Sequence, residues 1–297
     1  MKTALVTLGR LPKGLDICRA LSAAGWRVVV AEPSSKHLCG LSCSVSKSIV
    51  TPAPNDDAAA YQQALLRIVA DEGVSLVVPV SEEIMHASRI VPSLPDGVRW
   101  FGLDHDALLP LHDKFRFNRL AASLGLSVPQ TDLLGSDAAR ALVADGDVIV
   151  KPALTCSGQG LERLAKGAVL PDAPAEDVLV QRALTGSHSS TFSVAHEGRV
   201  IGTVVYRPVV VSDTVAVAFE RLTSALQQEN WTARFIAQTK HTGFISFDFI
   251  DNEDGAPCAI ECNPRATSGI HFVTPESLAS AVLEPEMCQA LAFREPT

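Results

Sequence analysis

The sequence predicts an α/β fold that turns to α+β in its C-terminal part, and three features carry that reading. Apolar runs of strand length alternate with stretches of helical spacing through the first 105 residues. Two turn signals, Glu197-Gly198 and Asp254-Gly255, each sit between strand-like runs. Between those two hairpins, Phe219 to Thr239 is long enough for a helix facing a sheet. Strands that alternate with helices imply a parallel, doubly wound sheet. Strands joined by tight turns imply antiparallel pairing.

Taken in order, Thr3 to Leu8 is an apolar run, followed by Leu15, Ile17, Cys18, Leu21 and Ala24 at helical spacing, with Gly25 as the stop. Arg27 to Ala31 is the next strand, Ala58 to Ala70 a helix ending near Gly73, and Ser75 to Val80 and Val98 to Phe101 two more strands. Asp113 to Leu124 is a helix closed by Gly125. Val148 to Val150 is a strand running into Lys151-Pro152, followed by the small, hydroxyl-rich loop Thr155 to Gly160. Asp172 to Asp177 is a polar connector, and Val178 to Gln181 a strand. Thr191 to His196 and Arg199 to Val205 form a hairpin, and a short tail follows Gly269.

Composition narrows the function. Hydrophobic content of 47% over 297 residues supports a sizeable core. A net charge of −8 without a basic run argues against nucleic acid as partner. No apolar stretch has the length of a membrane span, and the start does not read as a signal peptide, so a cytoplasmic protein is expected. Seven scattered cysteines do not make a disulfide framework. His37, Cys39 and Cys43 lack a second pair at finger spacing, and Cys258 and Cys262 read as packing residues on one strand face.

The N-terminal strand, turn and helix, with Glu32 ending the next strand, imitate a Rossmann half. The turn Gly9-Arg-Leu-Pro-Lys-Gly14, however, lacks the second glycine that lets a backbone approach a pyrophosphate. A structural domain helping to form a substrate cleft fits better than a nicotinamide site.

The most informative segment is Gly243 to Arg265. If Asp254-Gly255 forms a two-residue turn, Asp248 lies opposite Glu261, and Asn263 shares the face of Glu261. Two carboxylates and an amide oxygen suit Mg²⁺, which takes oxygen ligands and leans on substrate phosphates. Arg265 beside them suits an anion such as phosphate or carboxylate. The plainer alternative is a solvated acidic hairpin. The apolar surroundings of both carboxylates argue against it, because buried carboxylates are rarely left unpaired. Lys151 ends a core strand and leads into a glycine-containing loop, one way to hold phosphate. A Walker A motif is absent.

The order of these parts, Lys114, Lys151, the Ser157-Gly158-Gln-Gly160 loop, Gln181-Arg-Ala-Leu184-Thr-Gly186, Asp248 and Glu261-Cys-Asn-Pro-Arg265, resembles the ATP-grasp superfamily in its carboxylate–amine ligase and carbamoyl-phosphate-synthase-like branch. The resemblance spans essentially the whole chain and is most specific in its last motif. It implies a Rossmann-like N-terminal α/β domain over 1–105, a lid subdomain over 106–180 and a C-terminal subdomain with the metal site over 181–297. Lys114 and Lys151 would contact ATP phosphates. Backbone amides of the loop around Ser157, Gly158 and Gly160 would close over them. The backbone of Gln181, Arg182, Ala183 and Leu184 would meet adenine. Asp248, Glu261 and Asn263 would bind Mg²⁺, with Mn²⁺ as a substitute, and Arg265 would stabilise the transferred phosphoryl group.

Three departures stand out. The usual acid after the hinge glycine is replaced by Gly186-Ser187-His188-Ser189-Ser190, leaving Ser187 or His188 for the ribose. Ser246 stands where some peptide ligases carry arginine. Little chain follows Arg265. The implied activity is ligation of a small carboxylate to an amine through an acyl phosphate, and the resemblance allows a homodimer. A nucleotide-binding pseudoenzyme or sensor, a phosphotransferase and a carboxylase are the alternatives. The acceptor pocket is expected near Gly9 to Gly14, Ser81-Glu82-Glu83 and Ser268 to His271, with Arg10, Lys13 and Arg207 as candidate carboxylate holders.

Overall fold

The computed structural model describes residues 1–154, 160–172, 177–212, 215–253 and 255–294. The first sheet is parallel, in the order β3-β2-β1-β4-β5. Its elements are β1 (Thr3–Val6), α1 (Pro12–Ala23), β2 (Arg27–Glu32), β3 (Lys47–Val50), α2 (Ala58–Asp71), β4 (Val74–Val78), α3 (Ile84–Ala87) and β5 (Arg99–Trp100). Successive strand residues point to opposite faces. Ala4, Val6, Val28 and Val30 meet α1, while Leu5, Val29 and Val77 meet α2. Both faces are therefore covered, which is why these strands read as continuous apolar runs. The exception is β3, a largely exposed edge strand with no such run to mark it.

Two helices follow, α4 (His105–His112) and α5 (Lys114–Ser123), separated by Asp113, whose carboxylate caps α5 by accepting from the N–H groups of Phe115 and Arg116. The second sheet is antiparallel, in the order β6-β9-β7-β8. It comprises β6 (Thr131–Leu133), β7 (Val148–Pro152), β8 (Glu162–Leu164) and β9 (Val178–Arg182), covered by α6 (Asp137–Asp145). The third sheet is also antiparallel, in the order β12-β11-β10-β13-β14. It comprises β10 (Ser187–His196), β11 (Arg199–Ser212), β12 (Val215–Leu222), β13 (Gly243–Asp251) and β14 (Pro257–Asn263). Helix α7 (Leu226–Thr239) packs on one face of this sheet, and α8 (Pro275–Leu283) packs back on α1.

Three expectations are corrected. The expected helix over Phe219 to Thr239 begins only at Leu226. Phe219 to Leu222 pairs with Val205 to Pro208, so the sheet claims it. The expected two-residue turn at Asp254-Gly255 lies partly outside the described residues, but its flanks are one residue further apart than that turn allows: Asp251 pairs with Pro257, and Asn252 N–H donates to Ala256 O, with Gly255 at φ +75°. The extra residue is returned at a bulge: Asp248 pairs with Glu261, but Phe249 pairs with Ala259, so Ile260 is unpaired. The bulge also moves Cys258 and Cys262 onto opposite faces, because Cys262 pairs beside Phe247 and Cys258 beside Ile250. The hairpin turn at Glu197-Gly198 forms as expected, both residues having positive φ.

What positions the site is the double packing of β13. Phe247 and Phe249 point into an aromatic core with Phe117, Trp231 and Phe235, where Trp231 and Phe235 stack with centroids 5.6 Å apart. Such pairs add about 0.5–1.5 kcal/mol each beyond area burial. Ser246 and Asp248 therefore point the other way, toward the first sheet.

Candidate active site

Seven side chains from six elements meet at this second face. On the hairpin, Asp248 Oδ1 accepts from Ser190 Oγ at 2.6 Å, and Oδ2 accepts from Asn263 Nδ2 at 3.0 Å. Glu261 lies directly across the ladder from Asp248. Lys114, the first residue of α5, places Nζ 3.3 Å from Glu261 Oε1. Its backbone N–H donates to Ala153 O, tying α5 to the end of β7. Lys151 is buried; its Nζ donates to Gln181 Oε1 at 2.9 Å and reaches Ile260 O at 3.4 Å. The bulge thus has a use, since it frees the Ile260 carbonyl for the lysine. Burial lowers the Lys151 pKa to about 8, against the pull of Glu261. Burial raises that of Glu261, with Asp248 adding and Lys114 opposing.

Arg265 Nη2 donates to Asn263 Oδ1 at 2.8 Å and lies 2.5 Å from Glu82 Oε1, while its buried Nε has no hydrogen-bond partner among the described residues. Lys13, reaching across from α1, donates to Ala266 O at 2.8 Å. Its pKa falls to about 8 through burial and then through Arg265. Lys13, His188, Ser190, Asp248, Asn263 and Arg265 line one cleft of about 300 Å³. A chain of hydroxyls closes its floor: Ser246 Oγ and Tyr206 OH both hydrogen-bond Thr267 Oγ1, at 2.7 and 3.0 Å.

The donor set fits a hard cation in part. Among the described residues no three His, Cys, Asp or Glu side chains form a metal cluster. Two carboxylates and an amide oxygen are an incomplete shell that phosphate oxygens would complete. Lys13, Lys114, Lys151 and Arg265 gather four cationic groups around Asp248 and Glu261. Such a concentration of cations favours a polyanion.

Not every expected residue joins the site. Ser157 and Gly158 lie outside the described residues, while Gly160 stands against the Pro152 ring. The Arg182 side chain turns to Asp145 at 2.8 Å. The N–H groups of Arg182 and Ala183 already donate to Gln130 O and Asp147 O, so neither can donate to a base. Leu184 follows them in the loop before β10. Gln181 acts through its side chain, holding Lys151 and donating to Thr131 Oγ1. Arg207 is exposed and paired with Glu220, away from the cleft. Glu32 accepts from the N–H groups of Gly9 and Arg10, and a Cβ at Gly9 would lie 2.3 Å from His37 Nδ1. The Gly9 turn is therefore filled by its own domain and has no room for a pyrophosphate. His37 Nδ1 accepts from Gly40 N–H, and Cys43 is exposed, so they form no metal centre.

Sequence reasoning missed Tyr206, His112 and the Gln181 side chain. His112 stands two residues before Lys114, 3.5 Å from Glu82, and burial lowers its pKa. The chain has two tyrosines, and both line clefts of this region, a rarity that was a usable signal.

No known family profile matches the sequence, and no curated protein sequence matches it. Solved structures do. An L-amino acid ligase from Bacillus licheniformis aligns at TM-score 0.71 and 13% identity over 96% of this chain and 74% of that one. An N5-carboxyaminoimidazole ribonucleotide synthetase from Thermotoga maritima aligns at 0.71 and 14% over 99% and 78%. A pyruvate carboxylase from Rhizobium etli aligns at 0.74 and 17% over 95% of this chain but only 28% of its own. These neighbours are ATP-grasp enzymes, and the likeness at such identities is one of fold. The chain has the ATP-grasp fold.

Proposed function

We propose that this chain is an ATP-dependent ligase joining a small carboxylate, an amino acid or related metabolite, to an amine, with release of ADP and phosphate. The observation that carries the reading is the convergence of Lys114, Lys151 and Arg265 on Asp248, Glu261 and Asn263. Lys114 and Lys151 would hold the phosphates, and the Leu184 N–H with the neighbouring carbonyls would face the adenine. Asp248, Glu261 and Asn263 would hold Mg²⁺, which neutralises phosphate charge when bound. His188, exposed at the start of β10, is the candidate for the ribose.

A substrate carboxylate oxygen attacks the γ-phosphorus, and the bond to the ADP oxygen breaks, leaving an acyl phosphate. The amine nitrogen then attacks the acyl carbon. The C–N bond forms, the C–O bond to phosphate breaks, and the ammonium proton passes to solvent. Arg265 and Lys13 border the cleft where the carboxylate would lie and supply charge for the transferred phosphoryl group. No nucleophilic side chain is needed.

The test is ADP release from Mg-ATP with pooled amino acids and small carboxylates in the presence of hydroxylamine. Carboxylate-dependent ADP with an equal yield of hydroxamate supports the reading. ADP release that depends on bicarbonate and gives no hydroxamate supports a carboxylase instead, the activity named for several structural neighbours. ADP formation with phosphate retained on the product supports a phosphotransferase. Nucleotide binding without turnover on any pool supports a sensor.

A further inference from the structure

A second, larger cavity of about 570 Å³ opens on the far side of the Arg265–Glu82 pair, and the ligase reading leaves it without an occupant. It lies at the carboxyl ends of β1 and β4, where the strand order of the parallel sheet reverses. Open α/β sheets take ligands at such switch points, and the volume is within the roughly 300–1,000 Å³ of small-ligand sites.

Its wall is mainly apolar, with Leu8, Leu11, Tyr61, Met85 and Leu109 among the lining residues. Several polar groups on the wall are already satisfied. Thr7 Oγ1 and the N–H groups of Val80 and Ser81 all donate to Glu83. Two charged groups on the wall can meet a ligand, beside the further polar residues Asn55, His86 and His112. Glu82 lies between the cavity and Arg265. Arg10, half exposed, is held 3.0 Å from Glu32. Tyr61 is buried beside Thr7 and belongs to the apolar wall through its ring.

We infer that this cavity binds the amine substrate and selects an α-amino acid with an apolar side chain. Glu82 takes the ammonium and accepts the proton that the nitrogen loses before it attacks, keeping that nitrogen next to Arg265, beside the expected acyl phosphate. Arg10 takes the carboxylate, and the side chain lies along Leu8, Met85 and Leu109. The inference rests on the ligase reading for its chemistry, but binding can be measured without turnover.

The test is equilibrium dialysis of the full chain with radiolabelled leucine, phenylalanine and glycine, without nucleotide. Saturable binding of leucine or phenylalanine, with glycine at least tenfold weaker, is expected. Leu109→Trp and Met85→Trp fill the cavity and should each cut binding tenfold or more. Arg10→Gln should cut it about tenfold, the worth of one hydrogen bond to a charged group. No binding of either apolar amino acid, or equal binding by wild type and both tryptophan variants, overturns the inference. The hydroxylamine assay separates the two proposals. Hydroxylamine needs no side-chain pocket, so carboxylate-dependent hydroxamate from the wild type without saturable binding of leucine or phenylalanine in dialysis overturns the pocket inference alone. Dialysis binding without hydroxamate from any carboxylate sinks the ligase reading alone.

Discussion

Arg265 and Glu82 form an ion pair at 2.5 Å that joins the end of the β13–β14 hairpin to the loop after β4. The two residues are 183 positions apart in sequence, and the contact holds the guanidinium at the border of both clefts. Because Asn263 Oδ1 takes the same Nη2, Arg265 is fixed from two sides.

Glu82→Gln should therefore lower turnover by about 10²-fold, the cost of a catalytic group displaced by about an ångström. Nucleotide affinity should change little, because Lys114 and Lys151 are untouched. Measuring kcat for ADP release beside Mg-ADP affinity by calorimetry checks this. An equal loss in both would mean that Glu82 holds the fold of the cleft and not Arg265 alone.

Glu261→Gln should abolish ADP release, with more than 10³-fold loss, while leaving the melting temperature within a few degrees of wild type. Glutamine keeps the shape but removes a metal-binding charge and leaves Lys114 without its anion. The melting curve matters as much as the activity, since an unfolded variant says nothing about metal. Wild-type-like activity in a folded variant would sink the metal assignment.

The Asp248–Glu261 pairing was legible in the sequence because strand alternation fixes which residues can share a face. The reason for the register was not legible. A one-residue-longer loop and a bulge at Ile260 cancel, and neither has a signature in residue types alone. The Phe219 to Leu222 error has the opposite cause. An apolar, partly charged stretch satisfies helical and strand periodicity equally, and β11 decides between them. Lys13 was legible as a cation, but its arrival beside Ala266 depends on α1 packing against the third sheet, a contact between distant parts of the chain.

Lys151 has a pKa near 8 because it is buried, and a bound polyphosphate would restore its preference for the charged form. Mg-ATP or Mg-ADP binding should therefore take up protons between about pH 8 and 9. Calorimetry in two buffers of different ionisation enthalpy reads that uptake directly. Lys151→Gln should reduce it and weaken nucleotide binding about tenfold or more. Part of the uptake should survive, carried by Lys13, whose pKa is also about 8. Proton release, or an uptake unchanged in Lys151→Gln, would contradict the placement of Lys151 at the phosphates.

His241 gives the fold an acid limit that is independent of the active site. It is fully enclosed between α7 and β13, its Nε2 lies 3.2 Å from Phe244 O, and Nδ1 has no hydrogen-bond partner among the described residues. The ring is thus neutral with its proton on Nε2, and burial lowers its pKa to about 4. The unfolded chain, with an ordinary histidine value near 6.5, binds more protons than the folded one between about pH 4 and 6.5. Stability must then fall as pH drops through that window and be fully present above it. From pH 7 to pH 5 the loss is about 2 kcal/mol from this residue, at about 1.4 kcal/mol per pH unit. Urea unfolding at the two pH values measures it. His241→Gln removes the titration, so the variant should be less stable than wild type at pH 7 yet lose about 2 kcal/mol less on acidification. The same pH dependence in variant and wild type would assign the acid limit to other groups.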